Sequence, residues 1–306
     1  MRPELCKRLL TLLGERVRFA RPLARHTSFR VGGPADAFVA PASVAELQTV
    51  LRILAEEGVS YFLLGGGTNI LVSDKGVRGV VIHLGAEFNY HRWTELGDEA
   101  RAQVGAARPL GRFVRDATAK GYGGIEFAEG IPGSVGGGLL MNAGAFGGEL
   151  SRVVMAIHGV LADGQCARLA GEALGFAYRR TTLPPGFIVT EVEFRLHRSA
   201  PESIAAKLTH AQQKRQATQP HGYPNAGSIF KNPPGTYAGK LIEEAGLKGL
   251  AYGQAQVSEQ HANFIVNKGG ARAAEVKQLM EQVQRVVWEK NLVRLEPEVR
   301  LVGEWE

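Results

Sequence analysis

Eleven of the thirty residues from Gly121 to Leu150 are glycine. No other feature constrains the chain as strongly. Glycine inside a helix or strand costs roughly 0.5–1 kcal/mol per residue relative to alanine, so this stretch is not a long regular element. Apolar residues interrupt it throughout (Ile125, Val135, Leu139, Leu140), so it is not a flexible linker either. The remaining option is backbone folded into turns and brought close to a ligand. A second run, Leu64-Gly-Gly-Gly-Thr-Asn69, directly follows the apolar segment Val59–Leu64. Successive glycine N–H groups can line one concavity, and such nests bind phosphate oxygens. Thr68 adds a hydroxyl, and Asn69 tolerates left-handed backbone.

Two familiar nucleotide motifs fail on spacing. A P-loop ends in Gly-Lys-Ser/Thr before a helix, whereas Ile70-Leu71-Val72 follows here. The G-x-G-x-x-G fingerprint would need a final glycine where Ile70, Glu126 and Met141 stand. A dinucleotide, if bound, therefore sits on a scaffold other than the Rossmann fold. The second glycine region reads Glu129-Gly-Ile-Pro-Gly-Ser-Val-Gly-Gly-Gly138, with Ser134 and its neighbouring amides suited to a second anionic group. Two such loops beside buried strands suggest a clamped diphosphate.

The length, 306 residues, suggests about two domains at ~150 residues each, with three possible. Hydrophobic residues make up 44% and charged residues 22%, which excludes global disorder. No apolar run approaches the ~18 residues of a membrane span, and Met1–Gly14 lacks the apolar block of a secretion signal. Two cysteines, Cys6 and Cys166, have no metal-type spacing, so no metal site is expected and a cytoplasmic location is. The net charge of +6 suits nucleic acid or anionic small molecules. Lysines and arginines are scattered, however, and no strand interleaves them with aromatics, which argues against nucleic acid.

The hydrophobic pattern is α+β. Residues 4–13 read as a helix closed by Gly14. Ser43-Val-Ala-Glu46 is a capping box opening a helix that stops at Gly58. With strands at Ala35–Ala40 and Val59–Leu64 it forms a β-α-β unit, whose crossover favours a parallel pair. Further strands are expected at 77–84, 153–161, 187–196, 252–257, 263–266 and 298–302. Helices are expected at 109–120, 201–217, 237–245 and 273–290.

Several strings are more specific. Thr27-Ser-Phe-Arg-Val-Gly-Gly-Pro-Ala-Asp36, LGGGTN, GIPGSVGG, Phe176-Ala-Tyr-Arg179, Asn225-Ala-Gly-Ser-Ile-Phe-Lys-Asn-Pro233, His261-Ala-Asn-Phe-Ile-Val-Asn267 and Leu295-Glu-Pro-Glu-Val-Arg300 occur in this order. Together they resemble the UDP-N-acetylenolpyruvoylglucosamine reductase family over nearly the whole chain. The resemblance implies a two-part FAD-binding unit of the vanillyl-alcohol-oxidase-like kind, residues 1–85 and 86–199. A smaller α+β substrate-binding domain, 200–306, would return its last strand to the flavin site. It implies a monomer that uses non-covalent FAD and NADPH to reduce the enolpyruvyl ether of a UDP-sugar for peptidoglycan synthesis. Only Thr181–Gly186 separates Arg179 from the next strand, as in the family's shorter branch, which lacks a tyrosine-bearing insertion.

Carried over motif by motif, the resemblance assigns Arg179 to the developing charge on the substrate carboxylate. It assigns Ser228 as proton donor and Glu298 as the acidic catalytic residue, whose protonated form would need a raised pKa. Glu296 is the near alternative. Flavin contacts fall to Gly65, Gly66, Gly67, Thr68, Asn69, Gly130, Ile131, Pro132, Gly133, Ser134, Gly136, Asn142 and Arg300. Lys231, Asn232 and Lys240 are the candidates for the UDP portion. Other readings are an alcohol-oxidising flavoprotein of the same fold and a basic nucleic-acid-binding module.

Overall fold

The computed structural model describes residues 1–305. The chain divides into two compact units, each assembled from separated stretches of sequence. The first comprises Met1–Phe19, Ala37–Gly66 and Gly79–Lys214; the second comprises Ala20–Asp36, Gly67–Arg78 and Arg215–Glu306.

Helix α1, Pro3–Leu13, buries Leu5, Leu9 and Leu13 on one face. Helix α2, Val44–Glu56, begins where Ser43 Oγ accepts the N–H of Glu46 at 3.1 Å. The expected reciprocal bond reaches one residue further back, since the Glu46 carboxylate accepts the N–H of Ala42 and also holds Arg16. Burial of Leu47, Val50, Leu51, Ile53 and Leu54 anchors α2, each contributing about 1.5–3 kcal/mol. The strands flanking α2, Pro34–Val39 and Tyr61–Leu64, are not neighbours as the crossover suggested. Val77–His83 lies between them, running parallel to Tyr61–Leu64, in a four-stranded sheet completed by Val17–Pro22.

A second, antiparallel sheet runs in the order Cys166–Ala170, Val154–Val160, Ile188–Arg198, Glu99–Gly105, His91–Leu96. Its inner face presents Ala100, Ala102, Val104, Ile157, Val192, Phe194 and Leu196, all buried. Against this face packs α3, Leu110–Ala119, with the Phe113 and Phe194 rings 4.7 Å apart. The short helix α4 is Val135–Leu140, and α5, Pro201–Thr218, carries the chain from the first unit into the second.

The outer face of this sheet carries charge. Arg168 donates from Nε and Nη2 to the two carboxylate oxygens of Glu193, each at 3.0 Å, and His158 Nε2 bonds to the same carboxylate. Arg168 first, then His158, hold the Glu193 carboxyl down at about 2, against the raising effect of burial. A carboxylate with a depressed folded pKa stabilises the fold above its unfolded value of about 4.3, and that contribution is lost as pH falls towards 2. Thermal melts between pH 6 and pH 2 should therefore show a shallower acid decline for Glu193→Gln than for the parent. Parallel declines would remove Glu193 as a source of acid sensitivity.

In the second unit, α6 is Ala238–Glu244 and α7 is Ala273–Asn291. The carboxylate of Asp74, 199 residues upstream of Ala273, accepts the N–H groups of Ala273 and Ala274 at 2.8 and 2.9 Å, satisfying the start of α7. The strand expected over 252–257 is instead a hairpin, Ala251–Tyr252 and Ala255–Val257, turned at Gly253 with φ +57°. Ile265–Asn267 extends it to three strands. Ile70–Val72 and Arg300–Val302 form a separate parallel pair. Among the described residues no helix is long and apolar enough to cross a membrane.

Candidate active site

The first unit contains an open cavity of about 100 Å³. Four of the residues expected at the cofactor line it: Gly65, Gly66, Ser134 and Gly136. The rest of the lining was not anticipated. Leu63, Leu64, His83, Leu84, Ala106, Ala107, Gly137, Leu140 and Val189 complete it. No lysine, arginine, aspartate or glutamate is among the lining residues described.

The glycines have a definite packing role. A Cβ on Gly66 would stand 2.6 Å from Gly133 Cα, and one on Gly65 would stand 3.1 Å from Ser134 Oγ. The two glycine loops close directly on each other, and only bare backbone allows it. Not every amide there is available to a ligand. Gly136 donates its N–H to Ala106 O at 2.9 Å, and Gly137 donates to Ser134 Oγ at 3.2 Å, where Ser134 caps α4. A glycine-walled rim around an apolar body suits a planar ring system joined to a diphosphate, so these residues fit FAD. Forcing a side chain between the loops typically costs about 1–3 kcal/mol. Gly66→Ala should accordingly weaken FAD binding by on the order of tenfold. Titration of the apoprotein by quenching of flavin fluorescence reads this directly, and unchanged affinity would separate the loop contact from the cofactor.

Asn142, expected at the cofactor, is bonded within the chain itself. It is 1% exposed, donates from Nδ2 to Ala177 O at 3.2 Å, and accepts the N–H of Ser151 at 2.9 Å. Its carboxamide thus ties the hairpin of Phe176–Ala177 and Arg180–Thr181, which carries Arg179, to the turn at Ser151. Arg179 stands at the turn with φ +56°, and its Nη1 donates to Gly144 O at 2.9 Å. Asn142 and Phe146 also have positive φ, at +40° and +51°. Left-handed backbone at non-glycine residues costs on the order of 1–3 kcal/mol each and tends to gather at functional sites. Glu149 lies in the same network, its pKa held down chiefly by the Ser151 hydroxyl, then by Asn142, Arg152 and Arg179.

The second unit brings Ser228 and Glu298 onto adjacent backbone. Glu298 donates its N–H to Ile229 O at 2.8 Å, Phe230 bridges Pro297, and Lys231 donates its N–H to Glu296 O at 2.9 Å. Both side chains are half-buried. The end of the first glycine loop is tied to the same segment: Asn69 Nδ2 donates to Glu298 O at 3.1 Å, and Asn69 O accepts the N–H of Arg300 at 3.1 Å. Gly67, with φ +64°, has room for no Cβ, because one would stand 1.9 Å from His26 O. Glu296 proves to be the ion-pair partner of the Lys231 ammonium. Asn232 Oδ1 accepts the N–H of Ala238 at the start of α6, and Lys240, on α6, lies exposed 3.8 Å from Glu244. Arg179 belongs to the first unit, Ser228 and Glu298 to the second.

The comparisons with known proteins give the class first. A family model described as an FAD binding domain matches residues 35–170. A solved berberine bridge enzyme variant superimposes with a TM-score of 0.50 at 17% identity, covering 74% of this chain and 51% of that one, a likeness of fold alone. The chain is an α+β flavoprotein with an FAD-binding unit of the vanillyl-alcohol-oxidase-like kind.

A second model, the C-terminal domain of UDP-N-acetylenolpyruvoylglucosamine reductase, matches residues 219–302. UDP-N-acetylenolpyruvoylglucosamine reductase 2 of Symbiobacterium thermophilum is 47% identical over 94% of this chain and 92% of its own. The reductase of Geobacter metallireducens is 44% identical over 99% and 100%. The crystal structure of the Thermus caldophilus reductase matches with a TM-score of 0.80 at 38% identity, covering 92% and 97% of the two chains. The chain belongs to the UDP-N-acetylenolpyruvoylglucosamine reductase family.

Proposed function

We propose that this protein reduces the enolpyruvyl ether of UDP-N-acetylglucosamine enolpyruvate to UDP-N-acetylmuramate, as a cytoplasmic monomer supplying peptidoglycan synthesis. The observation that carries the reading is the backbone pairing of Ile229–Lys231 with Glu296–Glu298, which joins the segment following Ser228 to the segment that carries Glu298. FAD, when bound and reduced by NADPH, supplies hydride to the terminal methylene of the substrate. Negative charge then collects at the substrate's α-carbon and spreads into a carboxylate that is already charged. Stabilising charge where it develops is the largest part of such catalysis.

Arg179 suits that task, because its planar fork can meet both carboxylate oxygens. Ser228 gives its proton to the α-carbon: the Ser228 O–H bond breaks, the carbanion's electron pair forms the new C–H bond, and the alkoxide regains a proton through Glu298. Serine is a weak acid, so this step needs a strongly basic intermediate beside it. Lys231, Asn232 and Lys240 take the UDP portion, and Gly65–Asn69, Gly130–Ser134, Gly136 and Arg300 surround the cofactor. Asn142, beside the cofactor, also supports the hairpin that carries Arg179. In this reading residues 1–85 and 86–199 carry the flavin and 200–306 the sugar nucleotide. NADPH and the sugar nucleotide take turns in one cleft, which gives ping-pong kinetics.

Purified protein should be yellow and should convert the enolpyruvyl substrate to UDP-N-acetylmuramate with one NADPH consumed per product. Protein that binds FAD but leaves this substrate untouched would sink the reading.

A further inference from the structure

Ser228 lies on a segment that is not part of a regular strand, so something other than a sheet must fix its position. Upstream the chain is loosely determined. Gly227 has φ +74° and donates its N–H to Asn225 Oδ1 at 3.0 Å, a local turn. Downstream one residue supplies most of the bonds on one side of it. Asn263 is 3% exposed. Its Oδ1 accepts the N–H of Phe230 at 3.0 Å, its Nδ2 donates to Phe230 O at 2.8 Å, and its backbone O accepts the N–H of Ile229 at 2.9 Å. Three of the four backbone polar groups of Ile229 and Phe230 therefore end on one residue.

The carboxamide imitates one rung of an antiparallel ladder, with donor and acceptor matched to Phe230. On its other side the same segment pairs with 296–298. Ile229 is thus held between Asn263 O at its N–H and Glu298 N–H at its carbonyl. Asn263 is itself fixed: its N–H donates to His261 Nδ1 at 3.2 Å, and burial pushes the His261 pKa down, favouring the neutral ring. Asn263 is buried, and both ends of its carboxamide are taken by Phe230. Its influence passes through the backbone.

We infer that Asn263 is a positioning residue for proton transfer, its carboxamide holding Ser228 in register with Glu298. The inference rests on the reading of Ser228 as proton donor. A misplacement of about 1 Å in a reacting group can cost on the order of a hundredfold in rate.

Stopped-flow spectroscopy of the FAD-loaded protein separates the two half-reactions. In Asn263→Ala, bleaching of the flavin by NADPH should stay near the parent rate, and substrate Kd from the flavin spectral shift should hold. Reoxidation by the enolpyruvyl substrate should fall by on the order of a hundredfold. Its solvent deuterium isotope effect should rise as proton transfer becomes limiting, which a general loss of packing would not produce. Asn263→Asp supplies a second test if the alanine variant does not fold. Its carboxylate can accept from Phe230 N–H but cannot donate to Phe230 O; once protonated it can do both. Reoxidation by Asn263→Asp should therefore recover as pH is lowered, while the bleaching rate does not.

Equal losses in both half-reactions would overturn the inference, as would an unchanged isotope effect in Asn263→Ala or a flat pH profile for Asn263→Asp. Ser228→Ala run alongside distinguishes the two levels. Normal reoxidation in Ser228→Ala removes the reading of Ser228 and the inference with it. Slow reoxidation there with parent-like Asn263 variants removes the inference alone.

Discussion

Ser228→Ala should leave the first half-reaction intact and cripple the second. NADPH should bleach the flavin at close to the parent rate, because that step needs no proton at the substrate's α-carbon. Reoxidation by the enolpyruvyl substrate should slow by on the order of 10³-fold, within the range for loss of a positioned proton donor. That corresponds to about 4 kcal/mol of barrier. The substitution removes only a hydroxyl. The contacts that hold the segment are made by the backbone of Ile229, Phe230 and Lys231, and Ile229 and Phe230 are 1% and 2% exposed in the core. The fold and the thermal midpoint should therefore be preserved. If bleaching is the step that fails, or if both steps slow alike, Ser228 has been given the wrong role.

The structure explains why some of this site was legible in the sequence and some was not. Glycine clustering pointed to backbone brought close to something, and Gly65, Gly66, Ser134, Gly136 and Gly137 do line a cavity. The immediate reason for the glycines was hidden, however. Gly66 is bare because Gly133 is there and Gly67 because His26 is there, neighbours 67 and 41 residues away that no local pattern reveals. The strand Glu99–Gly105 escaped notice because alanines carry much of its inward face, and His91–Leu96 because none of its residues is fully buried. Ala100 and Ala102 are fully buried yet give a weak hydrophobic signal. The hairpin at 251–257 read as one strand because its turn, Gly253-Gln254, is only two residues long.

The bracing asparagines were invisible for a different reason. Asn142 reads from the sequence as a cofactor contact and Asn263 carries no role there, because the partners of a carboxamide lie far away in the chain or out of pattern. Only the paired donor and acceptor distances reveal that each supports the chain carrying a catalytic candidate. The backbone angle at Arg179 was hidden in the same way. Tyr-Arg-Arg-Thr carries no turn signal of glycine or asparagine at that position, yet Arg179 adopts φ +56°.

That angle makes Arg179 the place for the second decisive experiment. A lysine there keeps the charge but loses the fork, and it cannot both reach a carboxylate with two parallel bonds and keep the brace to Gly144 O. Arg179→Lys should lower the rate of reoxidation by on the order of 10²–10³-fold, the usual cost of removing a preorganised donor from developing negative charge. Bleaching by NADPH should change by no more than a few-fold. Arg179→Gly sharpens the test. Glycine adopts φ +56° without a Cβ penalty, so this variant relieves whatever strain the turn holds while deleting the whole guanidinium. Its thermal midpoint should match or exceed that of the parent even as reoxidation collapses. Added guanidinium ion should restore part of the lost rate in Arg179→Gly and none in Arg179→Lys, whose side chain fills the space. A melting point that falls with the activity, or equal losses in both half-reactions, would mean that Arg179 holds the hairpin together and that the carboxylate is met by another residue.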